Sequence, residues 1–92
     1  MTSYKVLVSG TASKEFKALQ RKEQDRIRDR LNELAEDPHN SSNRLDTKKL
    51  SGTNHTYFRL RIGTYRVIYY IQEETIRVVR ITLRSDAYSW LD

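Results

Sequence analysis

Two periodicities divide the chain. In "YKVLVS", residues 4–9, apolar and polar positions alternate, which predicts a first strand. "GTAS" interrupts it, and Thr11 or Ser13 is suited to cap a helix start. Phe16 and Leu19 then fall three apart, and Ile27, Leu31, Leu34 and Ala35 recur at helical spacing with charge between them. Pro38 ends this pattern, because proline disfavours helical geometry in the residue before it. Periodicity permits one long helix or a hairpin of two. A single helix over residues 13–36 would run about 36 Å at 1.5 Å per residue, too long to lie across a small sheet, so a bend near Arg21 is expected.

"PHNSSNRLDTKKLSG" is polar and reads as a loop. Strand alternation returns over residues 56–62, 65–71 and 76–83, with turns at Gly63-Thr64 and Glu73-Glu74 that imply an antiparallel meander. The tail "SDAYSWLD" reads as one helical turn or irregular chain, with Trp90 and Leu91 as a plug against the core or as a docking surface for a partner helix. The expected fold is α+β, one domain over residues 1–92: a twisted antiparallel sheet in the order β-α-α-β-β-β, with a helical hairpin packed on one face.

Parity sorts the side chains of these strands. Phe58, Leu60 and Ile62 share one face, as do Val67, Tyr69 and Ile71, and Val79, Ile81 and Leu83. If the helices cover that face, Arg59, Arg61, Arg66, Arg80 and Arg84 emerge together on the other, with Tyr57, Tyr70 and Tyr88 nearby. Arg77 falls on the helical side in this scheme. The guanidinium groups would then form a cationic floor beneath an apolar layer. Arginine interleaved with aromatic rings is the combination that phosphate contact and base stacking require.

Charge supports this picture. The 92 residues carry 17 Lys and Arg against 12 Asp and Glu, a formal net charge of +5, which favours an anionic partner. All six lysines precede Leu50, whereas the six basic residues after it are arginines, whose planar fork binds phosphate in bidentate fashion. Without cysteine there are no disulfides or thiolate metal sites, and His39 and His55 lie far apart, so neither a metal nor a cofactor is expected. No apolar run is long enough to span a membrane and no signal-peptide stretch opens the sequence, which leads us to expect a cytoplasmic protein.

A strand, two helices, the loop "KKL-x-G" (Lys48 to Gly52), then "YFRLRIGTYRVIY" and a final "LRSDAY" resemble the RelE/ParE superfamily of toxin-antitoxin toxins. The most specific part is Arg-x-Arg-x-Gly-x-Tyr-Arg-x-x-Tyr, Arg59 to Tyr69, and the RelE branch is the better fit. The resemblance implies a type II toxin that cleaves messenger RNA in the ribosomal A site and is neutralised by a cognate antitoxin. By the same resemblance, Arg59 and Arg61 match basic strand positions lining the site, and Arg66 matches the arginine gripping the scissile phosphate. Arg84 matches the basic residue after the last strand, and Tyr88 the tyrosine that orients the nucleotide. Together these are the candidate catalytic residues. Lys48, Lys49 and Arg80 join them as candidate nucleic-acid contacts. Two departures stand out. Some RelE-branch nucleases have lysine at Arg59 and Arg61, and many relatives have histidine where Leu83 stands.

Internal transesterification of RNA needs a base for the 2′-hydroxyl, stabilisation of a phosphorane-like transition state and departure of the 5′-oxygen. Arg61, Arg66 and Arg84 suit the second task and not the first, since arginine stays protonated. His55, Lys48, Lys49 and Tyr88 are the candidate bases, and catalysis by orientation on the ribosome is the alternative. Two other functions share the fold: a ParE-like gyrase inhibitor without nuclease chemistry, and an inactive toxin-fold protein whose arginine face serves only to bind an antitoxin.

Overall fold

The structure is a computed structural model that describes residues 3–50 and 55–83. The elements in order are β1 (Lys5–Val8), α1 (Gly10–Lys17), α2 (Arg21–Glu36), β2 (Asp46–Leu50), β3 (Tyr57–Ile62), β4 (Tyr65–Gln72) and β5 (Thr75–Leu83). They form one five-stranded sheet in the order β1-β5-β4-β3-β2, with the helices on one face. The α+β class and the helical pair are as expected, and the helix breaks between Lys17 and Arg21.

Three features differ from the sequence expectation. Residues 46–50, expected to be loop, form the edge strand β2, antiparallel to β3. Its Asp-Thr-Lys-Lys-Leu sequence has little strand propensity, so pairing to β3 supplies what the residues do not. Secondly, β1 runs parallel to β5, so the sheet is mixed rather than wholly antiparallel. The chain enters β2 running against β1, and the three reversals through β3, β4 and β5 bring the last strand back to the direction of β1. Thirdly, the α1 cap is Ser9 rather than Thr11 or Ser13, its hydroxyl accepting from the Ala12 N–H at 3.1 Å.

Ser9 does more than start a helix. Its N–H donates to the Val78 carbonyl at 2.9 Å and its hydroxyl to the Val79 carbonyl at 3.1 Å. These residues sit at a β-bulge, where Ile68 pairs with Arg80 but Tyr69 pairs with Val78, leaving Val79 as the extra residue. The bulge resets parity along β5. Strict alternation with Val79 and Ile81 would put Ile76 and Val78 on the open face; instead they join Ile81 in the main core, and Val79 moves to the opposite side.

The main core joins Ala12, Ile27, Leu31, Leu34 and Ala35 of the helices to Leu60, Ile62, Val67, Tyr69, Ile76, Val78 and Ile81 of the sheet. Burial in it pushes the Tyr69 phenol up to about 12. β1 spans only the first half of β5, and α1 lies against β5 where β1 stops. There the outward Ile81 N–H donates to Glu15 Oε1 at 2.8 Å, so a helix side chain satisfies the sheet edge. Asp37 organises the approach to β2. Its carboxylate accepts from Ser41 N, Ser42 N and Ser42 Oγ at 2.7–2.9 Å, which holds its pKa below the usual carboxylate value. Among the described residues no helix is long and apolar enough to cross a membrane.

Candidate nucleic-acid interface

Cross-strand partners share a face of a sheet, so the register gives the composition of the side opposite the helices in rows. The first row is Asp46, Arg61, Arg66 and Thr82, and the second is Lys48, Arg59, Ile68 and Arg80. In the third, Leu50 pairs with Tyr57 and Tyr70 pairs with Arg77, the Tyr57 and Tyr70 ring centroids lying 5.7 Å apart. Rows one and three are four strand residues apart, about 14 Å at ~3.4 Å per residue. One end of this face is therefore cationic and the other aromatic.

The expected convergence of Arg59, Arg61, Arg66 and Arg80 is present, from three adjacent strands, and Lys48 lies beside Arg59. Lys49 does not join them. It pairs with Phe58 on the helical side, so alternation along β2 separates the two lysines. Arg77, expected on the helical side, is carried to this face by the bulge and pairs with Tyr70. Arg84 and Tyr88, and with them Trp90 and Leu91, lie outside the described residues.

The arginines are not equivalent. Arg80 makes a forked ion pair with Glu15, Nε to Oε2 at 3.1 Å and Nη2 to Oε2 at 2.9 Å, and so binds α1 to β5. Arg59 Nη2 donates to Asp46 Oδ1 at 2.9 Å, and Arg61 Nη1 stands 3.9 Å from Asp46 Oδ2. Asp46 is more than half exposed, so these contacts are worth about 1 kcal/mol or less and are readily exchanged for another anion. Arg66 is buried and donates from Nη1 to the Tyr65 carbonyl at 3.2 Å. Beside it in the first row is Thr82, also buried, whose Oγ1 has no hydrogen-bond partner among the described residues, and Arg59 Nε in the second row is likewise buried and without one among them. Each is a buried polar atom whose hydrogen-bonding capacity is left to water or a ligand.

Sequence reasoning missed Asp46, Thr82 and Arg77. Asp46 was legible in the alternation Asp46-Lys48-Leu50, which the surrounding polar residues obscured. Arg77 was hidden by the bulge, which no local residue signals. Neither histidine reaches the first row. His39 sets its ring edge-on to Tyr4 at 6.3 Å, and His55 stacks on Tyr70 in the aromatic row. Among the described residues no cluster of His, Asp and Glu could hold a metal ion.

A mixed sheet with two helices on one face and arginines from neighbouring strands on the other is consistent with a small α+β fold of the RelE kind. The match to known proteins agrees. The family model described as "ParE toxin of type II toxin-antitoxin system, parDE" matches residues 6–88. A curated relative, Toxin RelE3 of Methanocaldococcus jannaschii, is 32% identical over 90 residues, covering 94% of this chain and 97% of the relative. The fold is similar to that in the archaeal RelE-RelB complex of Pyrococcus horikoshii OT3, with TM-score 0.76 and 26% identity over 92% of this chain and 99% of the other. It is also similar to that in the RelB-RelE complex of Methanococcus jannaschii, with TM-score 0.69 and 29% identity over 94% and 99%. The chain belongs to the RelE/ParE superfamily of toxins from type II toxin-antitoxin systems, and it is a toxin related to RelE.

Proposed function

We propose that this toxin is a metal-independent endoribonuclease that cleaves messenger RNA in the ribosomal A site, so inhibiting translation in the cytoplasm, and that a cognate antitoxin neutralises it. The observation carrying this reading is the first row of the open face: Arg61 and Arg66 side by side on paired strands, with the Thr82 hydroxyl, unpartnered among the described residues, next in register. A phosphodiester lying along that row would meet two fixed cations from above Arg61 and Arg66. Their charge is present before the reaction begins and strengthens its interaction as negative charge grows on the non-bridging oxygens. The 2′-oxygen attacks phosphorus and gives up its proton to water, the bond to the 5′-oxygen breaks, and that oxygen takes a proton from water, so that the products are a 2′,3′-cyclic phosphate and a 5′-hydroxyl.

None of the arginines can take the 2′-hydroxyl proton. Among the described residues Asp46 is the one carboxylate in the two cationic rows, and it is engaged by Arg59 at 2.9 Å and faces Arg61 at 3.9 Å. The reading we favour assigns catalysis to position and charge. The ribosome holds the message in line for attack, and orientation of this kind can supply roughly 7–11 kcal/mol. Arg84 and Tyr88 complete the proposed set, Arg84 as a further cation at the phosphate and Tyr88 as the ring that orients the nucleotide.

The antitoxin is proposed from the solved relatives, which are toxin-antitoxin complexes of RelE with RelB. A ParE-like gyrase inhibitor is the second reading. It is favoured by the description of the matching family model and by Leu83, which supplies no proton carrier next to the arginines. Mapping RNA 5′ ends in cells shortly after induction without antitoxin separates the two. The nuclease reading expects cuts within translated codons, lost in an Arg61→Ala protein whose circular dichroism and melting show it still folded; the Arg61 side chain is half exposed. DNA damage with intact messages would select the gyrase inhibitor and remove the nuclease.

A further inference from the structure

The aromatic row of the open face has an arrangement that core packing does not require. The His55 ring lies flat on Tyr70, centroids 3.8 Å apart and planes 6° from parallel. Tyr57 meets both edge-on, at 6.0 Å from His55 and 5.7 Å from Tyr70. Beneath them Tyr57 and Ile68 are buried in a second, smaller apolar cluster with Leu50, Tyr70 and Val79. His55 itself is exposed. One face of the imidazole is therefore fixed against tyrosine while the ring remains accessible to solvent. It sits on the same side of the sheet as Lys48, Arg59 and Arg61, and the strand leading from Tyr57 to Arg59 advances about 7 Å at ~3.4 Å per residue.

We propose that His55 is the stacking platform for a nucleobase of single-stranded RNA whose backbone runs over the cationic rows. This rests on the endoribonuclease reading and adds a base subsite to its phosphate row. The physical case is preorganisation. An isolated surface histidine loses rotamer freedom when a base stacks on it, whereas Tyr70 and Tyr57 already fix this ring's plane. Every base presents a π-face, so the platform accepts any of them, while the neighbouring arginines supply the attraction to phosphate that an aromatic patch alone lacks. His55 acts as a positioning residue: its role is contact with the base, and it takes no proton in the reaction.

The experiment uses the whole toxin and a fluorescein-labelled single-stranded hexaribonucleotide, intact or with one base removed at each position in turn, in low salt and then as message on ribosomes. For the intact oligonucleotide, His55→Ala should weaken binding roughly 5- to 150-fold, the range for one stacked base, and His55→Phe should restore most of it. At one position, removing the base should weaken binding to the unaltered toxin but not to His55→Ala, because the contact has already gone. The His55 ring protons should also shift upfield in NMR spectra on adding the intact oligonucleotide. If base removal costs the same in both proteins at every position, the platform is refuted while RNA binding stands. If the unaltered toxin binds RNA in neither format, the endoribonuclease reading and this inference both fall. Should His55→Ala weaken antitoxin binding and leave RNA binding intact, the ring serves a protein partner and the proposal is overturned.

Discussion

Arg80 offers the sharpest test of whether a cation on the open face is a ligand contact or a structural clamp. Its guanidinium forks onto Glu15, whose Oε1 also takes the Ile81 N–H at 2.8 Å, and both side chains are about three-quarters buried. An exposed pair of this kind is worth about 0–1 kcal/mol and breaking a fully buried one costs about 3–5 kcal/mol. The partial burial puts the expected cost of Glu15→Ala near 2 kcal/mol, most of it from leaving a backbone N–H and a guanidinium without their acceptor. For a domain of this size that lowers the melting temperature by about 8–16 °C. Arg80→Ala should cost about half as much, since Glu15 keeps its bond to Ile81. A thermal double-mutant cycle of Glu15→Ala and Arg80→Ala should then yield a coupling near 1 kcal/mol. RNA binding per folded molecule should be almost unchanged in Arg80→Ala. A coupling indistinguishable from zero, or an Arg80→Ala protein that melts normally but no longer binds RNA, would refute the clamp and return Arg80 to the ligand surface.

Three further outcomes follow from the geometry. Thr82→Val exchanges a buried hydroxyl without a partner among the described residues for a methyl of similar shape, so urea unfolding should show a stability gain of about 1 kcal/mol while cleavage falls. Gly63→Ala should destabilise by about 1–2 kcal/mol in the same assay, because Gly63 has φ +59° and an added Cβ would come within 2.9 Å of Arg26 Nη1. The phenol of Tyr69, raised to about 12 in the fold from an ordinary 10, binds its proton more tightly folded than unfolded. Its contribution of about 3 kcal/mol is therefore complete below pH 10 and is lost as pH climbs toward 12, a decline that Tyr69→Phe should remove from the stability-pH curve.

How much of this was legible beforehand depends on the length scale of each signal. The helix pair was readable because Ile27, Leu31, Leu34 and Ala35 repeat at helical spacing, and all four are buried. The arginines of β3 and β4 were placed on one face by alternation alone, and Arg59, Arg61 and Arg66 do lie together. Alternation failed on β5, where Val79 is an extra residue: beyond it Ile76 and Val78 turn inward and Arg77 outward. β2 failed for the opposite reason. Its polar residues carry almost no strand signal of their own, and β3 pairs with them only once the meander exists.

The sequence by itself therefore determined which segments form helices and hairpins, that the chain would be basic, and that guanidinium groups would leave the apolar layer of β3 and β4. Each of these follows from contacts between residues a few positions apart, or from composition. Only the tertiary structure decided that β1 lies parallel to β5, that Ser9 anchors the bulge from 69 and 70 residues away, and that Glu15 claims Arg80 across 65 residues. The same is true of the pairing of His55 with Tyr70. These arrangements depend on where distant backbone donors and acceptors meet when the core closes. Whether a given arginine serves the fold or a ligand is set by that meeting, and no local pattern of side chains encodes it.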